Sequence, residues 1–537
     1  MIEIIKNKRP LLMFFLFLLT GGIVSVWLKN ELTYDYLLYH YYNGFAFVNA
    51  RHGIDLAVAF LPTYYNPLLD AVSYLLIRFC ADNLDLYYFI AGLPFGLLMF
   101  VFFKICLLFF DQTTLKGKIQ IAATLLIAAT GLNIFTLIGS SSHDISSNVF
   151  ILAAFYFLTG KDKKFFIAGF LLGSGSALKL VMVIYCISGG LTLLLMYKKL
   201  PCPLKNISAF ALGGFIGFML FNGFWMYFLW EKYQNPFFPF WNAVFKSPYY
   251  PFINYTDKLA SSQMQWLDYV LLPFYLINHS VFSNIMINID VMDARLACLF
   301  IIASGFVLRF LKTKTALSPE MFFLSVLMAV SYIVWIFLST NTRFLIPIEM
   351  FAAIAIVSCF SLIKYPRNMF TEGLYWSLLI ILIFYFCSVP HYSSFWGKRT
   401  SNKLLNEKIV LPENTLILGF GEFSPAFIAQ IIENNPSAKA IGFHSVTNGH
   451  WKQWNMSGYG KMAEIKQEML NGHKNKVAFE TLSFKASFLP AHEEKENLLK
   501  NWICEELSST EDVASFNAIF KLCYPPEMKE KIIIERN

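Results

Sequence analysis

The stretch Leu11–Leu28, LLMFFLFLLTGGIVSVWL, runs 18 residues without a charged side chain. At about 1.5 Å of rise per residue, a helix of that length covers roughly the apolar thickness of a bilayer. Comparable runs recur, and candidate spans cover 11–28, 86–110, 119–138, 145–160, 164–178, 180–197, 207–230, 295–311, 319–338, 343–363 and 371–389. The 537-residue chain is 56% hydrophobic and only 15% charged, and a soluble protein would need an implausibly large core to hide that much apolar surface. Lys6, Lys8 and Arg9 precede the first run as in a signal peptide. The run is too long for one, and no small-residue cleavage site follows, so an uncleaved first span is expected. The fold class expected is an α-helical polytopic membrane protein of about eleven transmembrane helices, followed by a C-terminal extracytoplasmic α/β domain.

Charge is distributed unevenly. Residues 1–390 hold 26 Lys+Arg and 18 Asp+Glu, whereas residues 391–537 hold 17 of each. The net +8 therefore belongs to the apolar part, and the balanced tail argues against nucleic acid as a partner. With the N-terminus inside, the inner loops collect 17 basic and five acidic residues, and the outer segments nine basic and twelve acidic. That asymmetry follows the positive-inside rule and places the tail outside. The domains read as 1–390, transmembrane, with long outer loops 29–85 and 231–294, and 391–537, soluble. The composition fits a bacterial inner (cytoplasmic) membrane with its chemistry on the outer face.

The nine cysteines show no metal-binding spacing. Cys106, Cys186, Cys298 and Cys359 lie in apolar segments and read as small buried side chains. Cys504 and Cys523 can pair if the tail faces an oxidising compartment.

The first outer loop contains two amphipathic pieces, 36–50 and 66–79, expected to lie along the membrane as interfacial helices. Asp35 opens the first piece. It either caps the helix or, with Tyr39 and Tyr42 on its face, forms an acidic, aromatic-lined pocket suited to sugar. His40 is a further polar group there, and Arg51 either binds phosphate or anchors the loop. His143 and Asp144 open the fourth span, where Asp144 either caps it, serves as a second carboxylate, or holds a divalent cation with Asp35. Lys179 lacks an acidic neighbour in sequence, so a lipid phosphate is one natural partner and snorkelling the other reading. The second long loop is rich in prolines and aromatics and folds irregularly against the membrane surface. Arg343, in Asn341-Thr-Arg-Phe-Leu-Ile-Pro347, stands at the outer end of the tenth span, with Glu349 six residues on; it offers a guanidinium to phosphate or a simple anchor. In the tail, 414–420 reads as a buried strand, 425–433 as a helix and 440–443 as a second strand. Gly419-Phe-Gly421 reads as a turn, and Trp451 and Trp454 beside His450 as core or a sugar platform.

Taken together, Asp35 after the first span, two helical pieces in the loop behind it, the His143–Asp144 pair and the late Arg343 string resemble a GT-C fold membrane glycosyltransferase over residues 1–390. The resemblance implies a polyprenyl-phosphate sugar as lipid donor and a glycan, lipid or protein acceptor. It implies inverting transfer at the outer face, with Asp35 as general base and Arg343, Lys179 and His143 on the donor phosphate. Asp144 would be a second catalytic acid, and Tyr39, His40, Tyr42 and Arg51 would contact acceptor or sugar. Paired acids common near this position are absent, since Tyr36 follows Asp35, so a Mg or Mn cofactor would require Asp144 or Asp55 as the second acid. The alternatives are a glycan polymerase or ligase using lipid-linked oligosaccharide, and a lipid-linked glycan transporter or flippase. The spans hold little mid-membrane charge and show no internal repeat, which disfavours the transporter.

Overall fold

The computed structural model describes residues 2–30, 32–160, 162–254, 266–275, 277, 293–313, 317–339, 341–361, 369–386, 396–397, 403–443, 456–483, 493–509 and 518–536. Helices occupy every expected apolar segment. Among the described residues, five are long and apolar enough to cross a membrane: Pro10–Leu28, Leu84–Cys106, Pro203–Tyr233, Pro319–Leu338 and Thr342–Phe360. The chain is an integral membrane protein on that ground of length and composition. Other apolar helices are short, notably Asp144–Thr159, Phe165–Leu178 and Val183–Leu195. The third expected span also breaks early. Its helix ends at Ala129, Gly131 turns the chain against Glu349, and a four-residue helix, Leu132–Phe135, follows.

The helices pack closely where glycines line them. Gly169 and Gly173 of Phe165–Leu178 face Gly213, Gly214 and Gly217 of Pro203–Tyr233, so near that a Cβ on Gly173 would lie 2.0 Å from the Gly214 carbonyl. Gly21, Gly92 and Gly96 do the same for the first span and Leu84–Cys106. Small residues at such contacts let two backbones approach, which is how apolar helices gain contact where lipid competes for the same surfaces.

The first outer loop departs from expectation. A wide turn of π-helix, Tyr36–His40, continues into the helix Tyr41–Val48, and a second helix spans Leu68–Phe79. Residues 36–46 are buried and do not lie on the membrane surface with their aromatics among headgroups. The C-terminal segment covers them, its helix Ser424–Asn434 packing across Tyr36–His40 and Tyr41–Val48.

That segment is built on a five-stranded sheet. Its strands are Leu416–Phe420, Lys439–Phe443, Lys476–Ser483, Ile503–Leu507 and Ala518–Tyr524. The first pairs in parallel with the second and third; the last runs antiparallel between the third and fourth. Leu416–Phe420 is buried throughout, as its apolar run predicts for a central strand. Gly421 turns the chain at φ 90°, and a Cβ there would meet the Thr481 carbonyl, whereas Gly419, expected in the same turn, lies within the strand. Trp451, Trp454 and His450 lie outside the described residues.

One ion pair clamps the outer loop to this sheet. Arg51 is bidentate to Asp55, at 2.9 and 2.7 Å, and donates to the carbonyls of Pro436 and Ala438. Asp55 also accepts from Tyr42 Oη and from the Ala440 amide, both at 2.9 Å. Leu56 then pairs with the Lys439–Phe443 strand through Ala440 and Gly442. Arg51 and Tyr42 are thus structural, against the expectation that they meet sugar or phosphate, and Asp55 is committed to Arg51 and is no second acid for Asp35.

In the second outer loop, Asn242 donates to the carbonyls of Ser247 and Tyr250, and Asn235 to that of Phe240. These amides do the work that regular hydrogen bonding cannot do around Pro236, Pro239, Pro248 and Pro251. Cys504 and Cys523, opposite one another on antiparallel strands, are joined by a disulfide.

Arg51→Ala leaves Asp55, whose side chain is 1% exposed, without its cation. Loss of about 3–5 kcal/mol is expected on thermal or denaturant unfolding in detergent. For the disulfide, reduction of denatured protein should expose two further maleimide-reactive thiols, a gain that Cys504→Ser/Cys523→Ser abolishes.

Candidate active site

Four charged side chains from four separate segments meet where the apolar helices end. Asp35 follows the two-residue strand Leu32–Thr33, which pairs with Trp396–Gly397. Thr33 Oγ1 accepts the Tyr36 amide at 3.0 Å and so does the capping that was one of the two readings of Asp35. The Asp35 carboxylate is left for Arg343, whose guanidinium lies 2.7 Å away. Arg343 is held by its own local chemistry. The Asn341 side chain accepts the Arg343 amide at 3.0 Å and starts the 3-10 turn Thr342–Leu345, while Tyr185 Oη donates to the Phe344 carbonyl at 2.5 Å.

Asp144 is the first residue of its helix, after His143 at φ 61° in the left-handed region. Its side chain makes no capping bond and is fully buried. One oxygen lies 2.5 Å from Lys179 Nζ, the other 3.1 Å from Arg343 Nε. Lys179 sits in extended backbone where Phe165–Leu178 stops and the turn Leu180–Met182 begins, and it also donates to the Ser142 carbonyl at 2.9 Å. The charges therefore alternate: Asp35, Arg343, Asp144, Lys179. Lys179 does not snorkel, and Asp144 does not cap.

This alternation argues against the expectation that Asp35 and Asp144 jointly bind a divalent cation. A guanidinium already stands between them, and a second positive group there would be repelled.

A second cluster adjoins the first. Asp70, in the first turn of Leu68–Phe79, is 4% exposed and brings Oδ1 within 2.7 Å of His40 Nδ1 and 2.8 Å of His143 Nε2. His143 and Asp144, adjacent in sequence, thus face different partners. Sequence reasoning passed over Asp70. Its signal is an acid in register with Ala71, Tyr74 and Ile77, the residues that the same helix buries. Tyr39 is buried with its ring 4.0 Å from His40 and 5.6 Å from Tyr65, an aromatic wall beside the charges. Tyr42 is elsewhere, at Asp55, because the widened turn Tyr36–His40 breaks the α-helical phase that would have put it on the Asp35 face. Glu349 also stands apart from Arg343, accepting from Asn133 at 3.2 Å.

Burial works to raise the Asp35 carboxyl, but Arg343, His40 and Lys179 outweigh it and hold it below the usual carboxylate range. Burial likewise opposes ionisation of Asp70, and the two imidazoles reverse it. For His143 burial prevails over Asp70, and its pKa falls. At neutral pH the site therefore presents ionised Asp35 with a fixed guanidinium at its side.

No family model and no curated protein matches the chain. Among solved structures, ArnT from Cupriavidus metallidurans, crystallised bound to undecaprenyl phosphate, is similar over 96% of this chain and 98% of its own, at 11% identity and a TM-score of 0.41.

Because the native Asp35 pKa lies below its unfolded value, the stabilisation from its ion pair is complete above the ordinary carboxyl pKa, about 3.9. It disappears as pH falls through the lower native value. The Tm difference between wild type and Asp35→Asn should therefore stay constant between about pH 7 and 5 and shrink only below about pH 4.

Proposed function

We propose that the protein is a membrane glycosyltransferase that moves a sugar from a polyprenyl-phosphate donor to an acceptor at the outer face of the membrane. The reading rests on one observation: carboxylates and cations alternate in a largely buried cluster at the ends of apolar helices, beside the buried aromatic ring of Tyr39. A lipid-linked phosphate demands such a boundary, since its chain needs apolar surface and its head needs fixed positive charge. The proposal includes the eleven-span topology, a cytoplasmic N-terminus, and a division into residues 1–390 and an extracytoplasmic 391–537.

In this mechanism the acceptor oxygen attacks the anomeric carbon as the bond from that carbon to the phosphate oxygen breaks. Asp35 takes the acceptor proton. Polyprenyl phosphate leaves with the bonding electrons, and the anomeric centre inverts. Arg343 and Lys179 stabilise the departing phosphate, a charge that grows in the transition state. Asp144 is a positioning residue: it ties both cations in place while the donor phosphate displaces part of their contact with carboxylate. Tyr39 offers a face to sugar C–H groups.

Transfer of labelled sugar from a polyprenyl-phosphate donor should be measured in proteoliposomes with membrane extract as the acceptor source. Asp35→Asn is expected to lose about 10²–10⁴ in rate while remaining folded by gel filtration. Unchanged transfer by Asp35→Asn would overturn the assignment of the base. No transfer by the wild type from any polyprenyl-phosphate sugar would overturn the function.

A further inference from the structure

Three carboxylates, Asp35, Asp70 and Asp144, meet at this boundary, and among the described residues two Lys or Arg side chains, Arg343 and Lys179, pair with them. Both cations belong to Asp35 and Asp144. Among the described residues no Lys or Arg forms an ion pair with Asp70, which is the third. It faces the two imidazoles instead. The ligand-type atoms of His40, Asp70 and His143 all lie within 4.8 Å of one another, all three residues are buried, and the two rings stand edge to face at 5.0 Å. Among the described residues His40 Nε2 is buried without a hydrogen-bond partner.

We propose that His40, Asp70 and His143 form a binding site for a divalent transition-metal ion of the zinc type, with a fourth position open to water. Two imidazoles and one carboxylate are a donor set that such ions take readily, and three protein ligands leave a coordination position free. Magnesium and calcium are disfavoured, because they require mostly oxygen ligands and the site offers one carboxylate. Tetrahedral coordination with bonds of about 2.0–2.1 Å sets ligand atoms roughly 3.3 Å apart. The present separations of 2.7 and 2.8 Å are hydrogen-bond lengths. For an ion to replace these contacts, Asp70 Oδ1 would part from each imidazole nitrogen by about half an ångström, and the two nitrogens, which lie within 4.8 Å of one another, would settle to the same spacing.

The ion would set a fixed positive charge against Asp70. It would also tie three segments together: the Tyr36–His40 turn, the Leu68–Phe79 helix and the turn that presents Asp144. Ligation through Nδ1 leaves the His40 ring proton on Nε2, where no group among the described residues accepts it, to donate to an oxygen of a bound molecule.

The test uses full-length protein in lipid nanodiscs, stripped with EDTA, incubated with zinc chloride or cobalt chloride and passed through gel filtration. Elemental analysis should find about one zinc retained per chain. Asp70→Asn and the double variant His40→Gln/His143→Gln should retain none at this site while eluting as the wild type does. Cobalt-loaded wild type should show ligand-field bands without a thiolate charge-transfer band, a result that needs no variant. Zinc retention equal in wild type and double variant, or a cobalt spectrum dominated by thiolate, would overturn the site and leave His40–Asp70–His143 as a hydrogen-bonded clamp. Metal retention is read without any sugar donor, so its outcome is independent of the transferase reading.

Discussion

A carboxylate cannot remain charged inside an apolar helix bundle without a cation against it, and Asp144 is fully buried. Much of the arrangement at the helix ends follows from that. Lys179 must reach Asp144, so Phe165–Leu178 stops short and hands the chain to extended backbone at the lysine. Arg343 must reach it as well, so the 3-10 turn before Ile346–Ser361 is pinned by Asn341 and Tyr185. Asp35 then neutralises the other side of Arg343. Each charge is tolerable only because the next is present. The helices that deliver them are short for the same reason: they end at the cluster.

A similar logic governs the junction between the outer loop and the C-terminal sheet. Asp55 is buried too, and its partners come from both sides: Arg51 and Tyr42 from the loop, the Ala440 amide from the sheet. The loop is therefore part of the C-terminal core and not a surface appendage of the helices. The consequence for the site is direct. The segment that carries Asp35, Tyr39 and His40 is roofed by Ser424–Asn434, and Tyr34 Oη donates to Glu422 at 2.5 Å. The C-terminal segment thereby helps set where the candidate base stands.

The two clusters share this boundary while differing in chemistry. One is composed of alternating carboxylates and cations and suits an anion that enters and leaves between cations. The other is composed of imidazole and carboxylate, groups that trade protons or bind metal. His143 and Asp144 join them through a single peptide bond, made possible by the left-handed backbone at His143 that turns neighbouring side chains apart.

The sequence by itself determined what depends on short windows. Hydropathy over some 18 residues located the apolar helices, because each such helix satisfies its own backbone hydrogen bonds and needs only an apolar surrounding. The buried strand at 416–420 was legible for a related reason: an uninterrupted apolar run bounded by a turn suits a strand covered on both faces. Asp35, Asp144, Lys179 and Arg343 stood out because a charge at the end of an apolar run is costly and needs a reason. Only the tertiary structure decided which charges belong together. The partners of Asp35 and Asp144 lie far along the chain, where no local spacing constrains them, and Arg51 found Asp55 and the sheet where phosphate had been expected. Asp70 stayed hidden because an acid in a helix's first turn is usually explained by the helix dipole. Its burial, and the two histidines facing it, exist only once the outer loop has folded beneath the C-terminal segment.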